Sequence, residues 1–351
     1  MISLEQFNPI SEAVVKKTKI DQAKYPVIDF HTHMGKLLLK DQYDFLYDTE
    51  TFCAELDSLN IKHSVNLDGF FGEELVKMNE KIGNYKNRIT TFMGIDFTEF
   101  DSPYFPEMTR NSILESYTQG ARGIKLWKNI TLYKGIRMDN PKLNVIYETA
   151  AELDIPILVH IADPIAFFRP LSSSNERYEE LIKNPEWNFS DRSKYPSFEE
   201  LMAMQEKMIQ EHPKTKFVIA HMGSYAENLA WVAEQLDKYP NMFVDIAARV
   251  AEVGRVPYSA KRFFTKYSKR ILYGTDSLPT DLRLQKVMFR FLETDDEYFP
   301  YQPEGEKPDQ GRFSIYGISL PDEALKDIYY RNACSLLHID VKTFEKKGLE
   351  K

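Results

Sequence analysis

The stretch Val27-Ile-Asp-Phe-His31-Thr-His33 combines the two features that decide the fold, a short apolar run and two histidines where that run ends. Side chains alternate between the faces of a strand, so Asp29, His31 and His33 lie on one face. Two imidazoles at positions i and i+2 can converge on a single metal ion. The stretch therefore predicts a buried strand that ends in a pair of candidate metal ligands.

Seven more short apolar runs follow along the chain, and most are compact, as expected for strands that helices cover. They lie at 64–68, 90–96, 123–127, 157–160, 217–221, 242–246 and 271–273. Helical patterns occupy most of the intervals, at 51–59, 112–119, 143–153, 197–210, 224–238, 260–267 and 322–337. Eight alternating strand–helix units predict an α/β fold, a closed (β/α)8 TIM barrel rather than an open sheet.

The length of 351 residues is compatible with two domains or with one enlarged barrel. We find no linker that would divide the chain. The surplus residues form an N-terminal arm (1–24) and two long interruptions, 163–196 after the fifth strand and 278–320 after the eighth. We therefore predict one barrel domain over 25–351, with long loops at the strand ends where barrel enzymes place their active sites.

The amino-acid composition of the chain restricts the classes of molecule that the protein is expected to bind. The chain has 45 Lys and Arg against 53 Asp and Glu, a formal net charge of −8, which disfavours binding to nucleic acid. Two cysteines form no disulfide framework, and neither a signal peptide nor a membrane-spanning run is evident. We expect a soluble cytoplasmic protein with a small-molecule substrate, no nucleic acid or membrane partner, and a homodimer as its assembly.

Three further polar residues end other predicted strands. His160 ends the fifth, His221 ends the sixth, and Asp276 follows the eighth. The C-terminal ends of barrel strands meet at one mouth, so these residues become neighbours of His31 and His33. Nitrogen and carboxylate ligands of this kind suit zinc, with manganese or iron as alternatives. The remaining histidines, His63, His212 and His338, are assigned no role.

The same motifs resemble those of the amidohydrolase superfamily. They are Asp29-Phe-His31-Thr-His33, His160, Ala220-His221-Met222-Gly223 and Gly274-Thr-Asp276, and they occur in the family's order. The chain is most similar to the amidohydrolase-2 branch, which includes aminocarboxymuconate-semialdehyde decarboxylase-like enzymes, and Tyr330-Arg-Asn332-Ala333-Cys-Ser-Leu-Leu resembles that branch's last helix. The resemblance covers nearly the whole chain.

The resemblance implies that His31, His33, His160 and Asp276 ligate one catalytic metal. It also implies that His221 polarises the substrate or transfers protons. A metal with an open position lowers the pKa of bound water toward about 7, which would supply a nucleophile at neutral pH. Asp276 could accept the proton of that water and pass it to the leaving group.

Lys125 leaves two arrangements open. It lies in the fourth predicted strand, where binuclear members of the superfamily carry a carboxylated lysine that bridges two metals. Our preferred arrangement has one metal, with Lys125 contacting the substrate or an oxyanion. The alternative has two metals, with His160 and His221 on the second.

Candidate substrate contacts follow several strands. Arg249 could bind a carboxylate through both guanidinium nitrogens. Trp127 and Lys128 follow the fourth strand, and Arg169 lies in the first long interruption. Asp29 is expected to be a buried hydrogen-bond partner behind the ligands.

Three functions are compatible with these residues. The first is a metal-dependent hydrolase that cleaves a lactone, ester or amide bond of a small molecule, with Asp276, His221 and Lys125 as catalytic residues. The second is a non-oxidative, metal-dependent decarboxylase of a small carboxylic acid on the same site. The third is a metal-free barrel that serves only binding or assembly.

Overall fold

Eight parallel strands form a single sheet in which each strand pairs with the next along the chain. The computed structural model describes residues 2–3, 6–7, 9–35, 48–278, 282–303, 306–308 and 310–347. The strands are β1 (Val27–Thr32), β2 (Ile61–Phe70), β3 (Ile89–Met93), β4 (Ile124–Leu126), β5 (Ile157–Val159), β6 (Phe217–Ile219), β7 (Met242–Asp245) and β8 (Ile271–Leu272). All eight predicted strands are present.

Backbone hydrogen bonds join the last strand to the first. Phe30 N–H donates to Tyr273 O at 2.9 Å, and Asp276 N–H donates to His31 O at 2.8 Å. A further bond runs from His33 N–H to Ser277 O at 3.1 Å. The sheet thus forms a nearly closed barrel, which confirms the predicted (β/α)8 fold.

Helices follow the strands in sequence. They are Thr49–Ser58, Gly72–Ile82, Phe105–Thr118, Asn129–Leu132, Asn144–Glu152, Tyr178–Lys183, Phe198–Glu211, Leu229–Lys238, Val250–Val253, Pro257–Lys266, Arg283–Glu293, Asp322–Lys326, Asn332–Leu337 and Val341–Lys347. A π-helical segment, Asp327–Arg331, connects the two helices before the last. No helix in the described ranges is long and apolar enough to cross a membrane.

Local chemistry explains where two predicted helices begin. Ser197 Oγ accepts from Glu200 N–H at 3.0 Å, and Glu200 Oε2 accepts from Ser197 N–H at 2.6 Å, so a capping box starts the helix as predicted. The helix predicted from 224 begins only at Leu229. Ser224 has a φ of +65°, which a right-handed helix excludes.

The two long interruptions contain helices that periodicity did not reveal. Arg283–Glu293 buries Met288, Phe289 and Leu292 in the core, and Tyr178–Lys183 lies in the first interruption. Arg312 joins the two interruptions through Glu179, with Nη2 2.7 Å from Oε1. Both segments are therefore anchored to the barrel rather than irregular throughout. Residues 279–281, 304–305 and 309 of the second interruption lie outside the described residues.

The N-terminal arm has no helix or strand in its described part. Thr18 Oγ1 donates to Asp296 Oδ1 at 2.6 Å, and Lys24 N–H donates to Glu293 Oε1 at 2.9 Å. Residues 1, 4–5 and 8 of the predicted arm lie outside the described residues. The domain boundary at residue 25 stays a prediction.

Candidate metal centre and active site

Two imidazoles and one carboxylate converge at the C-terminal end of β1. His31 Nε2 lies 3.4 Å from Asp276 Oδ1, and His33 Nε2 lies 3.1 Å from the same oxygen. One donor atom from each of the three residues lies within 4.8 Å of the other two. The histidines are buried, whereas 29% of the Asp276 side chain is exposed. The three predicted donors therefore share one space that solvent and substrate can reach.

Two carboxylates lie behind the β1 histidines. His31 Nδ1 lies 2.8 Å from Asp245 Oδ2, and His33 Nδ1 lies 3.1 Å from Asp68 Oδ1. Each Nδ1 donates to its carboxylate, so each Nε2 keeps its lone pair for a metal. The sequence analysis did not assign these two carboxylates. Their position at or near the end of β2 and β7 was the signal that could have identified them.

Asp29 lies behind β1 as expected, but its bonds differ from those of Asp68 and Asp245. Its carboxylate accepts from Thr275 Oγ1 at 2.7 Å, from Gln285 Nε2 at 2.8 Å and from the backbone N–H of His31 at 3.2 Å. Burial raises the pKa of Asp29 to about 6. Asp29 therefore positions the backbone around the site and touches no imidazole ring.

The donor set fits a divalent metal ion. Two imidazole nitrogens and a carboxylate oxygen are common zinc ligands, and a carboxylate behind each imidazole is typical of such sites. Burial opposes ionisation of Asp276, but His31 and His33 hold its pKa well below the usual value, so the group is a carboxylate. A second group of possible donors, His31, His221 and Asp245, is already occupied by hydrogen bonds among its own members.

His160 and His221 lie side by side next to this cluster. Their ring centroids are 4.3 Å apart, and the His221 ring is 5.1 Å from that of His31. His160 Nε2 lies 3.2 Å from Asp163 Oδ1, and the Lys128 ammonium contacts the other oxygen of Asp163. This arrangement leaves Nδ1 of His160 as the ring nitrogen that is available to a metal. His160 lies outside the three-residue donor group, so its role as a ligand stays a prediction.

His221 has a different partner. Its Nδ1 donates to the backbone oxygen of Ala247 at 2.9 Å. Burial lowers the pKa of His221 well below its ordinary value and that of His160 to about 4. Both rings are therefore neutral at pH 7, and Nε2 of His221 is a proton acceptor.

Unusual backbone geometry places two of these side chains. His221 and Asp276 have φ values of +58° and +64°, in the left-handed region that non-glycine residues rarely adopt. Such conformations cost about 1–3 kcal/mol each and are concentrated at functional sites. At Gly274, a Cβ atom would lie 2.8 Å from the Cβ of His31, so only glycine permits this approach of β8 to β1.

Lys125 points into the barrel from the middle of β4. Its side chain is 1% exposed, and its Nζ has no hydrogen-bond partner among the described residues. Burial lowers the pKa of Lys125 to about 8. The ammonium lies 4.6 Å from the centroid of the Trp127 ring, and that ring lies 5.1 Å from the ring of His33. Lys125 and Trp127 thus border the metal centre, whereas the carboxylation of Lys125 stays a prediction.

The two candidate arginines differ in their surroundings. Arg249 is buried, and its guanidinium donates to the neighbouring carbonyl of Ala248 at 2.8 Å. Burial lowers its pKa, and the charges that act on it include Asp163 and Asp276. Arg169 instead pairs with Glu199 at 2.8 Å, with half of its side chain exposed. The structure brings Arg249 toward the site and does not bring Arg169 there.

Comparison with solved structures supports the fold. An uncharacterised TIM-barrel protein from Bordetella bronchiseptica is 14% identical, with a TM-score of 0.52 over 90% of this chain and 99% of that one. A 2,6-dihydroxybenzoate decarboxylase in complex with 2,6-dihydroxybenzoate is 13% identical, with a TM-score of 0.52 over 90% and 99%. The 5-carboxyvanillate decarboxylase from Novosphingobium aromaticivorans, in complex with manganese and 4-hydroxy-3-methoxy-5-nitrobenzoic acid, is 11% identical, with a TM-score of 0.53 over 92% and 100%. At these identities the likeness shows the fold alone.

Sequence comparison shows the family. A search of curated proteins gave no match. The amidohydrolase-2 family model, described as Amidohydrolase, matches residues 100–339, which include His160, His221 and Asp276 but not the β1 histidines. The match covers more than half of the chain and agrees with the motifs, the fold and the donor cluster described above. The chain therefore belongs to the amidohydrolase family.

Proposed function

We propose that the protein is a metal-dependent hydrolase that cleaves a lactone, ester or amide bond in a small molecule. The observation that carries this proposal is the convergence of His31 Nε2 and His33 Nε2 on Asp276 Oδ1, at 3.4 and 3.1 Å. His31, His33 and Asp276 would hold the ion, with His160 as a further ligand. Zinc is the proposed metal, and manganese and iron suit the same donors.

A divalent metal bound there would lower the pKa of a coordinated water and polarise a carbonyl group. Asp276 has the protonation state that the reaction needs, because the nearby histidines keep it ionised. As a carboxylate it can accept a proton from the attacking water and then protonate the leaving group. Its side chain is 29% exposed, so water and a substrate can reach it.

His221 supports proton transfer in this scheme. Its Nδ1 is committed to Ala247 O, so the neutral ring offers an acceptor at Nε2. His221 can therefore take a proton from a substrate hydroxyl or from water, and it becomes a donor only after it has taken one. Proton transfer thus suits this side chain better than polarisation of the substrate by the neutral ring.

The test is turnover by metal-loaded protein on a panel of lactones, esters and amides that carry a carboxylate. We expect hydrolysis of at least one class, with a loss of about 10²- to 10⁴-fold in kcat/KM for Asp276→Asn. Stoichiometric metal with no turnover across the panel contradicts the proposal. Full activity in protein whose metal content is near zero contradicts the ligand assignment as well.

Non-oxidative decarboxylation is the second candidate, and two buried cations favour it. Within the described part of the chain, Lys125 Nζ has no hydrogen-bond partner, and Arg249 bonds only to Ala248 O. Either cation could hold a substrate carboxylate. Two solved structures with a similar fold are decarboxylases of aromatic acids, and one of them contains manganese. Release of carbon dioxide, with deuterium incorporated from the solvent into the product, would support this candidate over hydrolysis.

A further inference from the structure

A cavity of about 550 Å³ opens between the C-terminal ends of β2, β3 and β4, beside the metal centre. Most of its wall is apolar, formed by Phe71, Ile95, Phe97, Trp127 and Ile130. Its volume lies within the range of small-molecule sites, about 300–1,000 Å³. A ligand body that fills this space would therefore be largely apolar.

Two buried charged side chains line the cavity beside the metal centre: Asp68, which is paired with His33, and Lys125. Lys125 lines the cavity, and its buried ammonium has no acceptor among the described residues. A buried charge without a hydrogen-bond partner is costly, so a ligand that supplies an acceptor for this ammonium would be favoured. Because Lys125 lines the cavity, an anion bound in this space can reach its ammonium.

The outer end of the cavity carries the opposite charge. Glu73 and Glu74 line it at the start of the helix Gly72–Ile82, where Lys134 also contributes an exposed side chain. Two carboxylates against one ammonium leave this end with a net negative charge, which disfavours a second negative group on the ligand. The distribution of charge therefore favours one anionic end directed inward and an uncharged end directed outward.

The backbone gives the cavity its shape. A Cβ atom on Gly94 would collide with the carbonyl oxygen of Gly69, so the strand ends of β2 and β3 approach closely there. A Cβ atom on Gly72 would meet no described atom within 4 Å. Among the described residues, the close approach of Gly94 to Gly69 therefore limits the cavity on one side.

We propose that this cavity is the substrate subsite and that it takes an apolar monocarboxylate whose carboxylate pairs with Lys125. This binding proposal depends on the proposed function in one point only, namely which bond of the ligand the protein breaks. It assigns Lys125 to a carboxylate of the substrate rather than to an oxyanion that forms during the reaction.

The test is calorimetric binding of three probes to the metal-loaded protein at neutral pH: benzoate, its uncharged analogue benzamide, and terephthalate, which carries a second carboxylate at the opposite end. We expect benzoate to bind at least about tenfold more tightly than benzamide or terephthalate. A difference of this size corresponds to one buried charge-assisted hydrogen bond. Lys125→Met should abolish the preference for benzoate over benzamide. Lys77→Met removes an exposed lysine of the neighbouring helix Gly72–Ile82 that does not line the cavity, and it should change benzoate affinity by less than about twofold.

A second variant covers the case in which Lys125→Met fails to fold. Ile95→Trp fills the cavity from its partly exposed wall and should abolish benzoate binding while Lys125 remains. Equal affinity of benzoate for wild type and Lys125→Met overturns the proposal, as does benzamide that binds as tightly as benzoate. The readout is binding rather than turnover, so protein that binds benzoate through Lys125 but hydrolyses nothing would contradict the proposed function alone.

Discussion

The histidines of β1 and the histidine after β6 face the same barrel mouth, but they differ in what lies behind the ring. His31 and His33 each have a carboxylate on Nδ1, from Asp245 and Asp68. His221 has a backbone carbonyl there instead. Either partner fixes the tautomer and orientation of the ring, and a carboxylate adds a full negative charge behind it. In the proposed assignment of roles, the two β1 ligands are the histidines with a carboxylate behind the ring, and the proton carrier is the histidine with a carbonyl there.

His160 resembles the proposed ligands His31 and His33 in having a carboxylate hydrogen-bonded to its ring. Asp163 lies on its Nε2, so a carboxylate backs this ring as well, although through the other nitrogen. Burial opposes ionisation of Asp163, but Lys128 and His160 hold its pKa well below the usual value, so the partner is charged. The three histidines that the sequence analysis proposed as ligands are therefore the three near the site that a carboxylate backs.

The largest expected effect separates the two kinds of histidine. His31→Asn should abolish stoichiometric metal binding and lower kcat/KM by about 10³-fold or more, because the ion and its water are lost together. His221→Asn should keep the metal and lower kcat by about 10²-fold, since only proton transfer is lost. Metal content by mass spectrometry and steady-state kinetics provide the measurement. Equal loss of metal in both variants would remove the distinction.

The second prediction applies the same comparison to two cations. Lys128 pairs with the Asp163 carboxylate, whereas Lys125 has no hydrogen-bond partner among the described residues. The pKa of Lys125 is about 8 in the folded protein against 10.5 ordinarily, so between these pH values only the unfolded chain holds the proton. Wild-type stability, measured without metal, should therefore rise with pH through this window.

Lys125→Met should remove that rise and, at neutral pH, raise the free energy of unfolding by on the order of 2–3 kcal/mol. Lys128→Met should lower it by about 1–3 kcal/mol, because it removes the ammonium from the buried Asp163 carboxylate and leaves His160 as its partner. Urea unfolding of the metal-free proteins across this pH range tests whether Lys125→Met raises the free energy of unfolding and Lys128→Met lowers it. A destabilised Lys125→Met, or one that keeps the wild-type slope, contradicts the prediction.

The third prediction concerns the carboxylates themselves. Asp245→Asn, Asp68→Asn and Asp163→Asn should each weaken metal affinity by about 10- to 100-fold, measured by competition with a chelator. Asp29→Asn is the matched control, since this buried carboxylate bonds to backbone and to Thr275 but to no ring, and it should change the affinity less than about threefold. Metal affinity that is unchanged in Asp163→Asn alone would separate His160 from the ligands and sharpen the comparison.

The smallest effect is expected at Arg169. Its side chain pairs with Glu199 and is half exposed, so Arg169→Ala should change kcat/KM by less than about twofold. Arg249→Ala should raise KM more strongly, because that guanidinium is buried beside the site. Parallel kinetics of the two variants provide the check, and a comparable rise in KM for Arg169→Ala would show that the first interruption does bind substrate.

The local sequence pattern was sufficient to predict the barrel and the main candidate metal ligands. Short apolar runs predicted all eight strands, since burial against helices requires them. His31, His33 and Asp276 could be grouped because parallel strands of a barrel end at one mouth. Helix Arg283–Glu293 was missed although it is strongly amphipathic, because it lies within a Pro- and Tyr-rich stretch that was interpreted as one long loop.

Long-range contacts decided the rest. Asp245 is 214 residues from His31 along the chain, and no local pattern indicates which of the 53 acidic residues will reach a ring nitrogen. The absence of a described partner for Lys125, and the pairing of Arg169 with Glu199, likewise depend on which side chains the loops bring near. The sequence by itself determined the strand ends and the residue types placed there, because both follow from periodicity and burial. Tertiary structure alone decided which nitrogen each histidine presents, since that depends on hydrogen bonds between segments far apart in the chain.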